Sequence, residues 1–516
     1  MPRISRSTVL AGLLCIGASC LLLPTVLLAR TYTIGLTADD ATVNGNCTLR
    51  EAIRAAKTNA QVDACLAGEA TDFIFLPPGT YPFGGSEFVA AGGSLSILGQ
   101  TLNPFDVTID LGNSGRFLEL QGSGPYTLGG LEIANGKVTG TAENGGAISA
   151  AYVQLRMYSF RFVSNDSESG AGALNYYANQ ADQSLVLEHG SFLSNAVSGP
   201  PLGPSEGGAM KVNVTVGAWA DLRDLAFVGN SVLESELSAN GGALALLSGG
   251  SSASSIRCVR CLFQGNSVTA TDPSSASQAG GGAVSADAHN GAQITIVDSS
   301  FTGNSAINSS SGIAASVLRA ACTDGGSVEL ERLFIDFNGG ANTPQTFDVA
   351  FRSFGTTSTF SFLDSQVTFG AGSGLSVDSE GDSTLGHLTI ADYPLVGADL
   401  ATVGIPLPKG EVLLQNSIVA LNGTNIVVSG AVVGTTNSIG GDPVFVSAGT
   451  GDYHLNDLSP LIGAGTNDAA TLRFADLDHH GRIAGGTTDI GCYEHDGLFA
   501  DDFEVGDAGS WTSIAP

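Results

Sequence analysis

The stretch GGAMKVNVTVGAWADLRDLAFVGN, which spans Gly207–Asn230, begins with two glycines and an alanine and ends with Phe-Val-Gly-Asn. Between these two signals, apolar and polar residues alternate, as they do in a β-strand with one buried face. Both signals occur again elsewhere in the chain. The stretch is therefore one unit of a repeat, and the period of that repeat decides the fold.

The two signals alternate without exception over five units. A small-residue signal, Gly-Gly-Ala or Ala-Gly-Ala followed by an apolar residue, begins at Gly145, Ala171, Gly207, Gly241 and Gly281. The Phe-x-x-Asn signal begins at Phe162, Phe192, Phe227, Phe263 and Phe301, with successive spacings of 30, 35, 36 and 38 residues. A period of this length, made of strand-like segments without helices, indicates a β-solenoid in which each repeat is one coil.

Stacked coils place equivalent residues one above another, because neighbouring strands lie about 4.8 Å apart. We expect the phenylalanines to stack inside the solenoid. We expect the asparagines to lie at a bend, where their amides bind backbone groups of neighbouring coils. The predicted ladder consists of Phe162, Asn165, Phe192, Asn195, Phe227, Asn230, Phe263, Asn266, Phe301 and Asn304.

Beyond Phe301 the repeat weakens. In LFIDFNGG, Leu333–Gly340, Phe334 and Phe337 stand at the two ends of the four-residue frame, so the asparagine is interpreted as lost. Later strands keep the alternation without the signals, and we interpret them as degenerate coils of the same solenoid.

The charge balance excludes several classes of partner. The 516 residues include 20 basic and 49 acidic side chains, for a net charge of −29. A nucleic-acid binder needs clustered Lys and Arg, and an anionic membrane surface or polyanionic glycan is likewise a poor partner. The charge is interpreted as keeping an edge-rich protein soluble.

The N-terminus predicts export. Arginines precede an apolar run from Val9 to Ala29, which is typical of a secretory signal peptide with cleavage after Ala29; an uncleaved anchor is the alternative. No second spanning segment follows. We therefore expect a secreted or cell-surface protein without an integral membrane domain after signal removal.

Export permits disulfides in the mature chain. Cys47 and Cys65 are close in sequence and are predicted to pair. Cys258 and Cys261 form a lone Cys-x-x-Cys without the context of a zinc or thioredoxin site, so a structural disulfide is predicted, with Cys322 as one possible partner. The pairing among Cys258, Cys261, Cys322 and Cys492 stays open.

The repeat resembles that of bacterial right-handed parallel β-helix proteins, including polymorphic outer-membrane proteins. NGNCTLREAIRAA, residues 44–56, resembles the N-terminal CSLREA domain that precedes such helices. DPVFVSAGTGDYHLNDLSPLIGAGTNDA with DLDHHGR and TDIGCYE resembles the C-terminal choice-of-anchor Q segment, although Cys492 and the pair His479-His480 depart from its pattern. LFADDFEVGDAGSW, residues 498–511, is similar to a short tail of exported proteins.

We therefore predict an all-β, right-handed parallel β-helix with a small N-terminal capping helix. The expected divisions are a signal peptide at 1–29, a cap at 30–85, a solenoid at 86–440, a closing segment at 441–497 and a tail at 498–516. The cap and the closing segment are expected to cover the two open edges of the solenoid. Arg50 and Glu51 in the cap are interpreted as a buried structural ion pair.

No catalytic motif is recognisable in the repeat region. The densest titratable cluster, DLDHHGR at Asp476–Arg482, could bind a metal, but an Asp–Arg pair that fixes a turn is favoured. Asp378, Glu380 and Asp382 could hold calcium, yet an exposed acidic turn is favoured, so no cofactor is predicted. Trp219 and Tyr176-Tyr177 offer faces for sugar rings, although an aromatic ladder or rim is favoured.

The predicted function is non-catalytic adhesion or binding of extracellular glycans or surface proteins by a monomeric protein. A β-helix polysaccharide lyase or hydrolase with an unrecognised site is the first alternative, and a passive extracellular component is the second. A lateral groove where carboxylates and an arginine converge would favour the enzyme.

Overall fold

The computed structural model describes residues 29–495 with short gaps. The residues left out within that range are 36, 37, 41, 91, 92, 123, 141–143, 199–204, 235–238, 251, 252, 272–278, 309–313, 341–345, 403–409, 484 and 485. The predicted signal peptide, apart from its last residue Ala29, and the predicted tail at 498–516 lie outside the described residues.

The described residues form one α-helix, α1 Leu49–Thr58, one short 3-10 helix, Ala448–Thr450, and many short strands. In chain order the strands are β1 Ala29–Thr33, β2 Thr71–Leu76, β3 Gly79–Pro82, β4 Glu87–Ala90, β5 Ser94–Gly99, β6 Val107–Asp110, β7 Leu118–Gln121, β8 Pro125–Ala134, β9 Lys137–Val138, β10 Ile148–Ala151, β11 Gln154–Val163, β12 Asp166–Ser167, β13 Leu174–Ala178, β14 Ser184–Leu193, β15 Ala196–Ser198, β16 Ser205–Glu206, β17 Met210–Thr215, β18 Trp219–Val228, β19 Ser231–Glu234, β20 Ala239–Asn240, β21 Leu244–Gly249, β22 Ser255–Val259, β23 Leu262–Gln264, β24 Ser267–Ala270, β25 Ala279–Gly280, β26 Val284–His289, β27 Gln293–Thr302, β28 Ser305–Asn308, β29 Ala314–Thr323, β30 Ser327–Asp336, β31 Gly339–Gly340, β32 Thr346–Phe354, β33 Thr359–Leu363, β34 Gln366–Thr368, β35 Ser373–Ser379, β36 Asp382–Gly386, β37 Thr389–Ala391, β38 Val396–Thr402, β39 Val412–Gln415, β40 Ile418–Ala420, β41 Thr424–Ser429, β42 Val432–Thr435, β43 Ser438–Ile439, β44 Phe445–Ser447 and β45 Asp452–Leu455.

The strands stack in parallel, coil upon coil. Sheet 1 contains 21 strands, among them β1, β14, β18, β27 and β30, and sheet 2 contains 12 strands from β4 to β41. A seven-stranded sheet and a three-stranded sheet complete the coils, and β44 and β45 form a separate antiparallel pair. The register pairs equivalent residues of successive repeats, such as Phe192 with Phe227. The predicted all-β parallel β-helix with a small N-terminal helix is confirmed.

The phenylalanines of the five repeats form one continuous stack in the core. Successive ring centroids from Phe162 to Phe301 lie 5.1, 4.8, 4.9 and 4.7 Å apart, with interplanar angles of 18° or less. All five side chains are fully buried. The coil spacing sets the ring spacing, because each ring rises from the same position of its coil.

The asparagines three residues later form a second ladder at the bend. The Oδ1 atom accepts hydrogen bonds of 2.9–3.0 Å from the backbone N and the Nδ2 of the asparagine one coil earlier in Asn195, Asn230, Asn266 and Asn304. Each Nδ2 also donates to a carbonyl of the earlier coil, as Asn230 does to Phe192 O at 3.0 Å. The ladder therefore satisfies polar groups that the bend leaves inside the core.

The sequence interpretation of LFIDFNGG is wrong, because it places the four-residue frame one residue too early. Ile335 pairs with Phe301 in the register, and Asn338 Oδ1 accepts from the backbone N of Asn304 at 2.9 Å. The repeat therefore loses its phenylalanine and keeps its asparagine. A core position accepts any apolar side chain of similar size, whereas the bend needs an amide that both donates and accepts.

The small-residue signal lies at a tight corner between coils. Gly207 has a φ of 71°, a conformation that strains residues with a Cβ. A Cβ on Gly208 would collide with the carbonyl oxygens of Gly242 and Ser231. The corner therefore requires glycine at the second position of the signal, whereas the first position is glycine in four units and Ala171 in the other.

The N-terminal region contributes strands as well as a helix. The strands β1, β2 and β3 already belong to sheet 1, so the parallel ladders begin within residues 30–85. A disulfide joins Cys47 and Cys65 beside α1. Thr48 and Glu51 form a capping box at the start of α1, with reciprocal side-chain to backbone hydrogen bonds.

Arg50 and Glu51 do not pair with each other. Arg50 binds Asp39 at 2.8 Å and Glu87 at 3.1 Å, whereas Glu51 accepts from the backbone N of Thr48. Consecutive residues of a helix point in different directions, so the two side chains meet different neighbours. The interpretation as one ion pair is wrong.

The remaining cysteines occupy buried positions. Cys258 and Cys261 are bonded to each other, whereas Cys322 and Cys492 are free and buried. Burial raises the pKa of both free thiols to about 12, so they are inert at neutral pH.

No helix in the described part of the chain is long and apolar enough to cross a membrane.

Candidate functional site

The C-terminal segment, residues 441–495, lies along the outer face of sheet 1. Tyr493 Oη donates to Gln366 Oε1 at 2.9 Å, the backbone N of Cys492 donates to Thr389 Oγ1 at 3.2 Å, and the backbone N of Gly491 donates to Asn416 O at 2.8 Å. These contacts reach three successive coils from the side. Among the described residues, the segment therefore lies along the side of the solenoid and not over its end.

A buried ion cluster holds this segment to the solenoid. Arg482 Nη2 lies 2.6 Å from Asp364 Oδ1, Nη1 lies 3.5 Å from Glu494 Oε2, and both partners are fully buried. Burial raises the pKa of Asp364 to about 6, and the positive charge of Arg482 opposes that rise. The cluster fixes the segment because removal of one partner would leave a buried charge uncompensated.

A lateral groove lies between the segment and sheet 1. It consists of two cavities of about 210 and 240 Å³. Both cavities are lined by strands β27 and β30; Arg473 lines the first, and His479 and Tyr493 line the second. Each cavity has room for a small polar ligand unit, and the two are open to solvent on the same side of the solenoid.

Carboxylates and arginines converge in the lateral groove. Arg473 lies 3.6 Å from both Glu329 and Glu331, which are two residues apart on the outer face of β30. Arg332 Nε lies 2.6 Å from Asp298 Oδ1, and its Nη1 contacts Glu331. The result is a network in which each of these three carboxylates has a cationic partner.

The backbone of β27 and β30 places these side chains. Asp298 and Arg332 have φ values of 53° and 50°. Asp364, the equivalent residue one coil later, has a φ of 51°. A single left-handed residue inside a long strand bends the strand there. Such bends recur in successive coils, so charged residues at this position form a column along the outside of the solenoid.

A histidine clamp borders the lateral groove. His454 lies between Asp452 and Asp478, at 2.7 Å from each, and its ring stacks on Tyr493 with centroids 3.9 Å apart. The hydrogen bond to Asp478 and then that to Asp452 raise the pKa of His454 to about 9, against the opposing effect of burial. The imidazole therefore carries a positive charge at neutral pH.

The cluster DLDHHGR forms a turn. Asp476 accepts hydrogen bonds from the backbone N of Asp478 and of His480, at 3.0 and 2.7 Å, while Arg482 binds Asp364 instead. The favoured Asp–Arg pair within the motif is therefore wrong, because backbone donors of the turn occupy Asp476. Among the residues that the structure describes, no group of three His, Cys, Asp or Glu side chains is placed to hold a metal.

The other predicted site residues are dispersed. Asp378 binds Arg352 at 3.1 Å, Glu380 accepts from the backbone N of Gly355, and Asp382 accepts from the backbone N of Glu411. These three carboxylates thus face different partners.

The aromatic candidates differ in exposure. Tyr176 is fully buried and donates to Val153 O at 2.8 Å, whereas Tyr177 meets the partly exposed Tyr152 edge to face. Trp219 is 38% exposed at the start of β18. None of these aromatic residues lines the lateral groove.

A further cavity of about 310 Å³ lies beside α1 and is lined by Lys57, Glu69 and Asp72, among others. Lys57 is bound to Glu87 at 2.6 Å, and Asp72 accepts from the backbone N of Glu69. These groups tie the cap to the first coils, so we do not assign a ligand site there.

The sequence alone does not identify Glu329, Glu331, Arg332 and Arg473 as site residues. Arg473 stands about 140 residues from the three others in the chain, and the four form no recognisable motif. The available signal was the polar alternation in SVELER, Ser327–Arg332, which has more charge on its outer face than the neighbouring coils.

No protein-family model matches the chain, and no curated protein sequence is significantly similar to it. Among solved structures, the chain is similar to the pectate lyase Pel9A, at 11% identity over 90% of this chain and 96% of that chain, with a TM-score of 0.30. It is also similar to the alginate lyase AlyGC of family PL6, at 8% identity over 72% of this chain and 86% of that chain, with a TM-score of 0.14.

Proposed function

We propose that this protein is an exported β-helix protein that binds a neutral glycan in the lateral groove. The observation that carries the proposal is the network of Arg473, Arg332, Glu329, Glu331 and Asp298, of which all but Glu331 line the two cavities. Sugar hydroxyls both donate and accept hydrogen bonds. Paired guanidinium and carboxylate groups present donors and acceptors side by side, so they match that chemistry.

The charges favour a neutral glycan over an acidic one. The three carboxylates of the network would repel a polyanionic chain, and the whole protein carries a net charge of −29. Phe474, beside Arg473, is 94% exposed and offers an apolar ring face to a sugar. A groove along the side of a solenoid also suits an extended ligand.

Hydrolysis of the glycan is the second candidate function. Glu329 and Glu331 alternate with the buried Leu330 on β30, so their Cα atoms lie about 6.6 Å apart. Glycosidases act through a pair of carboxyl groups that flank the bond to be cleaved. Both carboxylates, however, already form ion pairs with arginines, so their oxygens are engaged. Binding is therefore the function that the geometry supports best.

Calorimetric titration with a panel of neutral and acidic polysaccharides tests the binding. We expect neutral chains to bind and Arg473→Ala to weaken binding by about 10- to 100-fold, since a charge-assisted hydrogen bond contributes about 1.5–3 kcal/mol. The matched control is Arg156→Ala, which removes an exposed arginine that is paired with Glu188 outside the groove. Equal loss in both variants, or binding of acidic chains only, would overturn the proposal.

Assays of product release on the same panel separate binding from hydrolysis. Binding without new reducing ends supports the binding function. Release of reducing ends that Glu331→Gln abolishes would establish hydrolysis instead.

Export is a separate part of the proposal. It rests on the apolar run Val9–Ala29 that follows arginines. N-terminal sequencing of protein from the extracellular fraction should begin at Arg30, and an intact Met1 would replace the signal peptide with an anchor.

A further inference from the structure

The C-terminal end of the solenoid is an open edge. The last coil consists of β41, β42 and β43, and each of these strands pairs with one earlier strand only, namely β38, β39 and β40 respectively. The C-terminal segment packs on the preceding coil, against Ile418 and Ala420, and continues along the side. Among the described residues, the other edges of β41–β43 therefore have no strand partner.

This open edge exposes the cross-section of the hydrophobic core. Val428 occupies the position of Leu400 one coil earlier, and Ile439 occupies the position of Val419. Leu400 and Val419 are fully buried, whereas Val428 and Ile439 are 50% and 46% exposed. The exposure arises because the stack ends at this coil, and a further layer would bury both side chains.

Within the part of the chain that the structure describes, this edge carries none of the usual protective devices. Edge strands of natural proteins carry charges or prolines, or are covered, to prevent pairing with other chains. Between Glu411 and Asp442 the sequence contains no charged residue, no histidine and no proline. At the opposite end of the stack, by contrast, α1 packs against β2 and β4.

We propose that the edge of β41–β43, the end face, docks on the end face of a second copy of this chain. A two-fold axis would pair the last coils of the two copies in antiparallel fashion, and the same patch would serve on both sides. Electrostatic repulsion favours this surface for contact between two copies. Two copies with a net charge of −29 each repel one another, and an uncharged face lets them approach. The resulting dimer replaces the monomer expected from the sequence, and it does not depend on glycan binding.

Sedimentation velocity of the chain purified from the exported fraction tests the proposal. We expect a dimer, and we expect Val428→Lys to convert it to a monomer because it places a charge at the centre of the end face. The matched control is Ile307→Lys, which introduces the same charge at a 50% exposed position on β28, within the solenoid, and should leave the dimer intact. A dimer that survives Val428→Lys would overturn the proposal.

Hydrogen exchange provides a measurement that needs no variant. The backbone amides of β41–β43 should be protected at high protein concentration and should exchange faster on dilution, while the amides of β27 should not change. Protection that is independent of concentration would contradict docking of a second copy. A last comparison is between the full chain and a variant truncated after His495. If the full chain is a monomer and the truncated variant is a dimer, the proposal is overturned, and residues 496–516 are the segment that covers the end face.

Discussion

Arg482 and Asp364 form a fully buried ion pair across 118 residues of sequence, with Arg482 Nη2 and Nε at 2.6 and 2.8 Å from Asp364 Oδ1. This contact fastens the C-terminal segment to the solenoid and so creates the lateral groove. We expect Arg482→Leu to lower the free energy of unfolding by about 3–5 kcal/mol, because it leaves the Asp364 charge buried without its partner.

Urea denaturation measures this loss, and limited proteolysis should cleave residues 441–495 first. Arg156→Leu is the control: its ion pair with Glu188 is exposed, so its removal should cost less than about 1 kcal/mol. Equal costs for the two variants would contradict the anchoring role of Arg482.

Phe227 stacks between Phe192 and Phe263 in the core. We expect Phe227→Ala to lower the free energy of unfolding by about 3–5 kcal/mol, because it opens a cavity in a stack that cannot collapse along its axis. Phe474→Ala, at a 94% exposed position, should change stability by less than about 0.5 kcal/mol. Chemical denaturation of both variants checks the difference, and a change under about 1 kcal/mol for Phe227→Ala would refute the stack.

Asn230 links three coils. Its Oδ1 accepts from Asn195 N, and its Nδ2 donates to Phe192 O and Asn266 Oδ1. We expect Asn230→Ala to cost about 2–4 kcal/mol, since each buried polar group left without a partner costs about 1–3 kcal/mol. Equilibrium unfolding measures the cost; Asn213→Ala, on the outer face of β17, should be nearly neutral. A neutral Asn230→Ala would show that the ladder does not contribute to stability.

His387 is buried beneath the C-terminal segment, with its Nε2 3.1 Å from Asn416 Nδ2. Burial, followed by the nearby charge of Arg482, lowers the pKa of His387 to about 2. The unfolded chain takes up this proton near pH 6.5 and the folded protein does not. The contribution of His387 to the free energy of unfolding is therefore fully present above about pH 6.5. As the pH falls below that value, the free energy of unfolding decreases by up to about 1.4 kcal/mol per pH unit.

Unfolding free energies between pH 4 and pH 7 check this slope. His387→Asn should reduce it, because asparagine tolerates the left-handed backbone at this position, φ 52°, and does not titrate. An unchanged slope in the variant would exclude His387 as the source.

His454 has the opposite pH dependence. Because its pKa is raised to about 9 by Asp478 and Asp452, its contribution to stability is fully present below about pH 6.5 and is lost as the pH rises through 9. An NMR titration should give an imidazole midpoint near 9, and His454→Gln should flatten stability between pH 7 and pH 9. A midpoint near 6.5 would contradict the clamp.

The repeat signals explain why the fold could be predicted. Phe227 and Asn230 recur in successive units because each coil must present the same group to the coil beside it, so the sequence records the stacking directly. The error at Leu333–Gly340 arose where the core replaced phenylalanine by Ile335, since a core position constrains size more than identity.

The groove was less predictable, because its residues are brought together by the path of the C-terminal segment. Nothing near Arg473 in the sequence specifies that it lies beside Glu329 and Glu331, or that Arg482 reaches Asp364 rather than Asp476. These contacts depend on long-range packing, which leaves no periodic trace in the chain.

The sequence by itself thus determined the coil, its core ladder and its bend, since local alternation and a regular period follow from strand geometry. Only the tertiary structure decided where the C-terminal segment lies. Because that segment folds along the side of sheet 1, anchored by Arg482, it builds a lateral groove and, among the described residues, leaves the end face of β41–β43 open.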